Sequence, residues 1–216
     1  RILTVSNSIK DYISSNYSID KNKITLIYPT IDFNKIEKLK LDKFSIDKKN
    51  EKIILTVGRL SIQKNHALLI KSLAEVRKSV NCKLIIIGNG ILKKKLKKLT
   101  NDLNLSDYVN FIDKTDNPYK FFNNSDIFVL PSLWEGFGLV LIEALYCEMK
   151  IVATDCPGSP KELLSGIETA LLSKNNDFLD LSAKILEMLK RDIDNTKSIK
   201  DKTKIKFSLN NHINEY

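Results

Sequence analysis

The chain has 216 residues, 43% hydrophobic and 28% charged, with only seven glycines and five prolines. That balance excludes disordered, collagen-like and low-complexity classes, and a chain this long can bury roughly 70% of its unfolded surface without a disulfide or metal. Thirty-five basic against 26 acidic side chains leave a net charge of +9, which attracts nucleic acid, anionic lipid or phosphorylated small molecules without choosing among them.

The chain opens on Arg1-Ile2-Leu3-Thr4-Val5, with no initiator Met and no signal-peptide pattern, and reads as the interior of a longer protein. Short apolar runs then predict strands at 2–5, 24–27, 53–57, 84–87, 109–112, 127–130, 151–154 and 170–172. Between them lie helical stripes. Leu69, Leu73, Val76 and Val80 make one, and Phe178, Leu181, Ile185 and Leu189 make another. Continuous apolar strands alternating with helices indicate an α/β fold with a Rossmann-like, doubly wound parallel sheet. Residues 36–52 are charged and poor in core residues, like a connector. The expected organisation is therefore a tail of a preceding unit at 1–32, a linker at 33–50, a compact domain at 51–190 and a helical tail at 191–216.

No apolar run approaches the ~20 residues of a membrane span. Cys82, Cys147 and Cys156 form an odd, scattered set, which suits a reduced cytoplasmic protein with no zinc cage. His66 and His212 lie too far apart in sequence to suggest a metal site.

Ligands of open α/β sheets bind beyond the carboxyl ends of the strands, so the loops there carry the chemistry. After the strand at 53–57 come Gly58, Arg59 and Lys64. Two cations beside a helix start suit a pyrophosphate, or are ordinary surface charges near a turn. Gly88-Asn89-Gly90 lacks the third glycine and later acid of a dinucleotide fingerprint and reads as a structural turn. After 127–130 comes Trp134-Glu135-Gly136-Phe137-Gly138, followed by a helix pattern from Leu139 that carries Glu143. The glycines admit close backbone approach, and a helix start offers free N–H groups to an anion. Glu135 and Glu143 suit hydroxyl groups of a diol; alternatively Glu143 supports the helix dipole and Glu135 is a solvated loop acid.

Taken together, Gly58-Arg59-Leu60 with Lys64 and the Glu-x7-Glu segment 135–143 resemble the C-terminal half of glycosyltransferase family 4, retaining enzymes of the GT-B fold. Residues 1–32 resemble the end of that family's acceptor-side domain. Asp155-Cys156-Pro157-Gly158-Ser159-Pro160-Lys161-Glu162 resembles a further loop of the donor domain, and 207–216 its closing helix.

The resemblance implies a nucleoside-diphosphate sugar donor, UDP-sugar favoured, a glycan or lipid-linked acceptor, and no cofactor or metal. Arg59 and Lys64 would hold the pyrophosphate with backbone N–H groups of Gly138 and Leu139. Gly136 and Phe137 would complete the donor loop. Glu143 would hold the ribose, and Glu135, the catalytic position, would sit against the donor sugar near the reacting carbon. Asp113 stands where the family often has a glycine, in the region expected near the base. The implied enzyme is a hexosyltransferase of polysaccharide biosynthesis, and this segment is expected to bind donor but transfer no sugar alone.

Lys93, Lys94, Lys95, Lys97 and Lys98, interleaved with leucines, make a basic amphipathic helix. It suits either a solvated face with buried leucines or contact with the inner face of an anionic membrane. Trp134 lines a sugar pocket or packs in the core. Two rival functions stay open: a non-catalytic nucleotide-sugar binding module, and a nucleic-acid binder, against which the scattered basic residues and missing aromatic platform speak.

Overall fold

A strand buried on both faces must be apolar along its length, and every such run in this chain becomes a parallel strand. The computed structural model describes residues 1–42, 51–193 and 196–208. The larger sheet contains β3 (Lys52–Val57), β4 (Cys82–Ile87), β5 (Val109–Ile112), β6 (Ile127–Leu130), β7 (Ile151–Asp155) and β8 (Ala170–Lys174). All neighbours pair in parallel, in the order β5-β4-β3-β6-β7-β8. The doubly wound expectation holds.

Strand alternation sorts the core into two layers. Ile53, Leu55, Phe128, Leu130 and Ile151 point to one face, where α6 (Leu139–Tyr146), α7 (Pro160–Leu164) and α9 (Thr196–Phe207) lie. Ile54, Ile86, Ile127, Val129 and Val152 point to the other. That face is covered by α3 (His66–Val76), α4 (Lys93–Asp102) and α8 (Phe178–Lys190). In α4, Leu96 is buried while Lys94, Lys95, Lys97 and Lys98 are exposed. The leucine face is thus committed to the core. Cys82, Cys147 and Cys156 are buried free thiols, and burial pushes them up to about 11, 12 and 11 respectively.

A separate two-stranded parallel sheet joins β1 (Ile2–Thr4) to β2 (Ile24–Leu26) around α1 (Asn7–Tyr17). Ser6 caps α1, its Oγ accepting from Ile9 N at 3.2 Å. This unit is tied to the larger one through Glu162 of α7. The Glu162 carboxylate accepts from Asn7 N at 2.9 Å, Asn7 Nδ2 at 2.8 Å and Tyr28 Oη at 2.5 Å.

The segment expected as a linker is not free chain in its first part. Asp32 caps α2 (Phe33–Leu39), and Phe33 and Ile36, three residues apart, enter the main core at 4% and 0% exposure. Phe33 meets the Tyr146 ring of α6 with centroids 4.3 Å apart. One helical turn with two apolar residues suffices to dock, whatever the lysines around it do. Residues 43–50 and 209–216, including His212 and most of the expected closing helix, lie outside the described residues.

Gly88 behaves as the structural turn predicted for it. Its φ is +149°, and a Cβ there would stand 1.9 Å from the Gly58 carbonyl oxygen. The loops after β3 and β4 are thereby packed backbone against backbone. Packing of α2 yields a first test: Ile36→Ala should cost roughly 2–5 kcal/mol in urea unfolding, as for a core aliphatic. A free connector would give a change close to zero.

Candidate functional site

The strand order creates an opening. From β3 the chain winds through β4 to β5 toward one edge, and from β6 through β7 to β8 toward the other. The loops leaving β3 and β6 therefore diverge above a shared crevice, the usual ligand position in such sheets. Those are the loops at 58–65 and 131–138. Their backbones are joined where Leu133 N donates to Gln63 O at 2.8 Å and Gln63 Nε2 donates to Trp134 O at 3.0 Å.

Within the crevice, Lys64 Nζ lies 2.5 Å from Glu135 Oε1. The two side chains are 17% and 4% exposed, so the pair is largely removed from water. Ser132 Oγ donates to the same carboxylate oxygen at 2.5 Å. Glu135 is held by its backbone as well, its N–H donating to Pro157 O at 2.9 Å. Gly158 makes that approach feasible: its φ is +119°, and a Cβ would fall 1.9 Å from Glu135 O. The aliphatic stem of Lys64 runs over Gly58, where a Cβ would sit 3.4 Å from Lys64 Cδ.

Arg59 is exposed and has no ion-pair partner among the described residues. It borders a cavity of about 440 Å3 formed with Gly58, Gly88, Asn89 and Lys114, over the ends of β3 and β4. Asp113 is ion-paired with Lys93 of α4.

On the other side of the crevice, Gly138 takes φ +71° as the N-cap of α6, with no side chain capping it. The first N–H groups of a helix have no carbonyl partners within it, so they are available to an anion. Glu143, further along α6, is largely buried and accepts from Tyr119 Oη at 3.0 Å. Burial pushes its carboxyl above the ordinary carboxylate range, while Tyr119 and Lys35 pull the other way. Burial and the Glu143 charge likewise push the Tyr119 phenol well above its usual value.

Contacts among the described residues bring Lys64 and Glu135 together, while Glu143 pairs separately with Tyr119 and Arg59 borders the cavity over β3 and β4. Phe137 departs from expectation. Its ring is buried beside Tyr28 and Phe207, with centroids 5.6 and 5.9 Å away. Gly136 is exposed, with nothing within 4 Å of where a Cβ would stand. Trp134 is 47% exposed next to Glu135 and is not a packed core indole. Sequence reasoning missed Tyr119, Ser132 and Tyr28. Ser132 sits three residues before Glu135 in the loop already singled out and was findable; Tyr119 and Tyr28 reach the site only through long-range contacts.

A parallel, doubly wound domain with a cation and a carboxylate meeting at its switch point has the form of one half of a GT-B fold. Residues 38–205 match the family described as glycosyl transferases group 1, and the chain belongs to that family. A similar curated protein is the N-acetylgalactosamine-N,N'-diacetylbacillosaminyl-diphospho-undecaprenol 4-alpha-N-acetylgalactosaminyltransferase of Campylobacter jejuni. It is 37% identical over 171 residues, covering 79% of this chain and 46% of the relative. The capsular polysaccharide biosynthesis glycosyltransferase CapM of Staphylococcus aureus is 29% identical, covering 87% of this chain and 52% of its own length. Among solved structures, Anabaena HepE in complex with UDP superposes with a TM-score of 0.84 at 19% identity, covering 99% of this chain and 61% of that one. The chain spans about half the length of these curated relatives. Among the described residues, no helix is long and apolar enough to cross a membrane.

The raised Glu143 carboxyl sets a pH dependence. A carboxyl that binds its proton more tightly folded than unfolded weakens the fold as pH rises past its unfolded value. Glu143→Gln keeps an acceptor for Tyr119 and removes the charge. Its stability relative to the parent should be nearly constant below the ordinary value of 4.5 and should rise above it. Urea unfolding of both proteins across that range checks this; a difference independent of pH would contradict it.

Proposed function

We propose that this chain is the donor half of a retaining glycosyltransferase. The enzyme transfers a hexose from a nucleoside-diphosphate sugar, UDP-sugar favoured, to a glycan or lipid-linked acceptor at the cytoplasmic face of a membrane. The observation that carries this reading is the convergence of Lys64 and Glu135 where the β3 and β6 loops meet. A cation, an uncapped helix start and two partly desolvated carboxylates on the loops and helix of this face suit a diphosphate joined to two hydroxyl-bearing rings. Relatives named for an undecaprenol-linked acceptor and for capsular polysaccharide support the acceptor class, and the fold neighbour solved with UDP supports the base.

In this reading Arg59 and Lys64 neutralise the diphosphate and the N–H groups at the start of α6 complete its cradle. The base enters the cavity beside Arg59. Glu143 takes the ribose hydroxyls, with Tyr119 holding its carboxylate in place. Glu135 fixes hydroxyls of the donor sugar. As the glycosidic bond to phosphate breaks, negative charge grows on the leaving diphosphate, and the cations already drawn onto it stabilise that charge. The acceptor oxygen then bonds to the sugar carbon on the face the phosphate leaves, and the leaving phosphate oxygen accepts its proton, so the configuration is retained. Positioning accounts for the rest of the acceleration, and it needs an acceptor hydroxyl held about 3–3.5 Å from the sugar carbon by a second surface.

Binding tests the assignment directly. Arg59→Ala and Lys64→Ala should each weaken UDP by roughly 1.5–3 kcal/mol while changing uridine affinity little. Calorimetric titration of both ligands reads the difference. Equal losses for uridine and UDP would mean the two cations support the fold and do not meet phosphate.

A further inference from the structure

The site holds a contradiction that its chemistry must resolve. Lys64 is assigned to phosphate, yet its ammonium lies 2.5 Å from Glu135. We propose that this ion pair is a latch by which the site distinguishes a sugar-bearing nucleoside diphosphate from the bare diphosphate. The inference rests on the donor-site reading above and goes beyond it, because it concerns what happens when only part of the donor is present.

The two partners differ in freedom. Glu135 is fixed by its N–H to Pro157, by the Gly158 backbone against its carbonyl, and by Ser132 Oγ on Oε1. Lys64 is held by a flexible four-carbon stem lying over Gly58. An arriving diphosphate therefore draws the lysine away and leaves the carboxylate where it is. Removing one partner from a desolvated ion pair is costly, because the other charge stays buried and unmatched. A neighbouring phosphate adds like-charge repulsion. Ser132 alone does not replace an ammonium.

Sugar hydroxyls do. Glu135 Oε2 makes no hydrogen bond to the protein among the described residues. Hydroxyl donors of a hexose reach it and restore the lost donation. Bare diphosphate binding thus carries a cost that the sugar conjugate escapes. After transfer the situation reverses: the hydroxyls leave with the product, the carboxylate recaptures Lys64, and the diphosphate loses its main cation. The same pair selects donor on entry and expels the nucleotide afterwards.

A latch of this kind responds unusually to a binding-site substitution. Glu135→Gln removes the buried charge that Lys64 must abandon. It should therefore tighten bare diphosphate, and the preference for conjugate over bare diphosphate should fall about fivefold or more, the usual span of a coupling between two ligand parts. Calorimetry on the 216-residue chain with UDP, GDP and their glucose, galactose and N-acetylgalactosamine conjugates measures both quantities, using the conjugate the parent protein binds best. Thermal transitions confirm that each variant is folded, and Glu135→Ala, which also removes the charge, serves if the Gln variant is not. Lys64→Ala separates failure of the latch from failure of the donor site. If Lys64→Ala weakens bare diphosphate but Glu135→Gln leaves it unchanged or weaker, the latch is wrong and the donor site stands. If no nucleotide binds the parent chain, or Lys64→Ala is without effect, the donor-site reading fails and the latch falls with it.

Discussion

A carboxylate almost wholly withdrawn from water needs a cation, and Glu135 has one only because two loops from different strands meet above the sheet. That requirement organises the rest of the molecule. Lys64 and Glu135 stand 71 residues apart in sequence, so their contact exists only if β3 and β6 are neighbours in register. The winding order that makes them neighbours also makes them the switch point of the sheet. Ion pair and ligand crevice are two consequences of one topology.

Around that contact the backbone is stiff and one side chain is not. The approach of Gly158 to Glu135 and of Gly88 to Gly58 leaves no room for a side chain. Tyr28 extends the rigidity outward. It stacks near Phe137 in the glycine loop, donates to Glu162 in α7 and belongs to the segment after β2. Burial together with the Glu162 contact raises its phenol to about 12, so it remains a donor at ordinary pH. The small β1–β2 unit is thereby coupled mechanically to the loop that carries Glu135. A rigid carboxylate opposite a flexible ammonium is an arrangement in which a ligand moves the cation and leaves the anion in place.

Much of this was legible in the sequence, for a physical reason. Parallel strands buried on both faces must be continuously apolar, so the strands of the six-stranded sheet stand out without knowledge of the fold. The chemistry-bearing loops follow each strand end and are found by position. What stayed hidden depends on contacts between distant residues. Phe33 and Ile36 are two apolar residues in a lysine-rich stretch, and only the docking of α2 reveals them as core. Phe137 reads as part of a ligand loop, but its ring turns inward against Tyr28 and Phe207. Tyr119 meets Glu143 24 residues away in sequence, and that bond requires α5 (Tyr119–Phe122) to lie against α6. The pairing of Lys64 with Glu135 was invisible for a further reason: each residue was assigned to a different part of a ligand, and nothing in their spacing says what they do without it.

The central claim is that one crevice holds a nucleoside-diphosphate sugar, with Lys64 on the phosphates and Glu135 on the sugar. A crystal structure of the chain with a non-transferable UDP-sugar tests it most directly. The account predicts diphosphate oxygens within hydrogen-bond distance of Lys64 and of the Leu139 N–H, and a sugar hydroxyl on Glu135. It also predicts that the distance of 2.5 Å between Lys64 and Glu135 has opened beyond ion-pair range. A nucleotide bound elsewhere, or bound in this crevice with that ion pair intact, would contradict it.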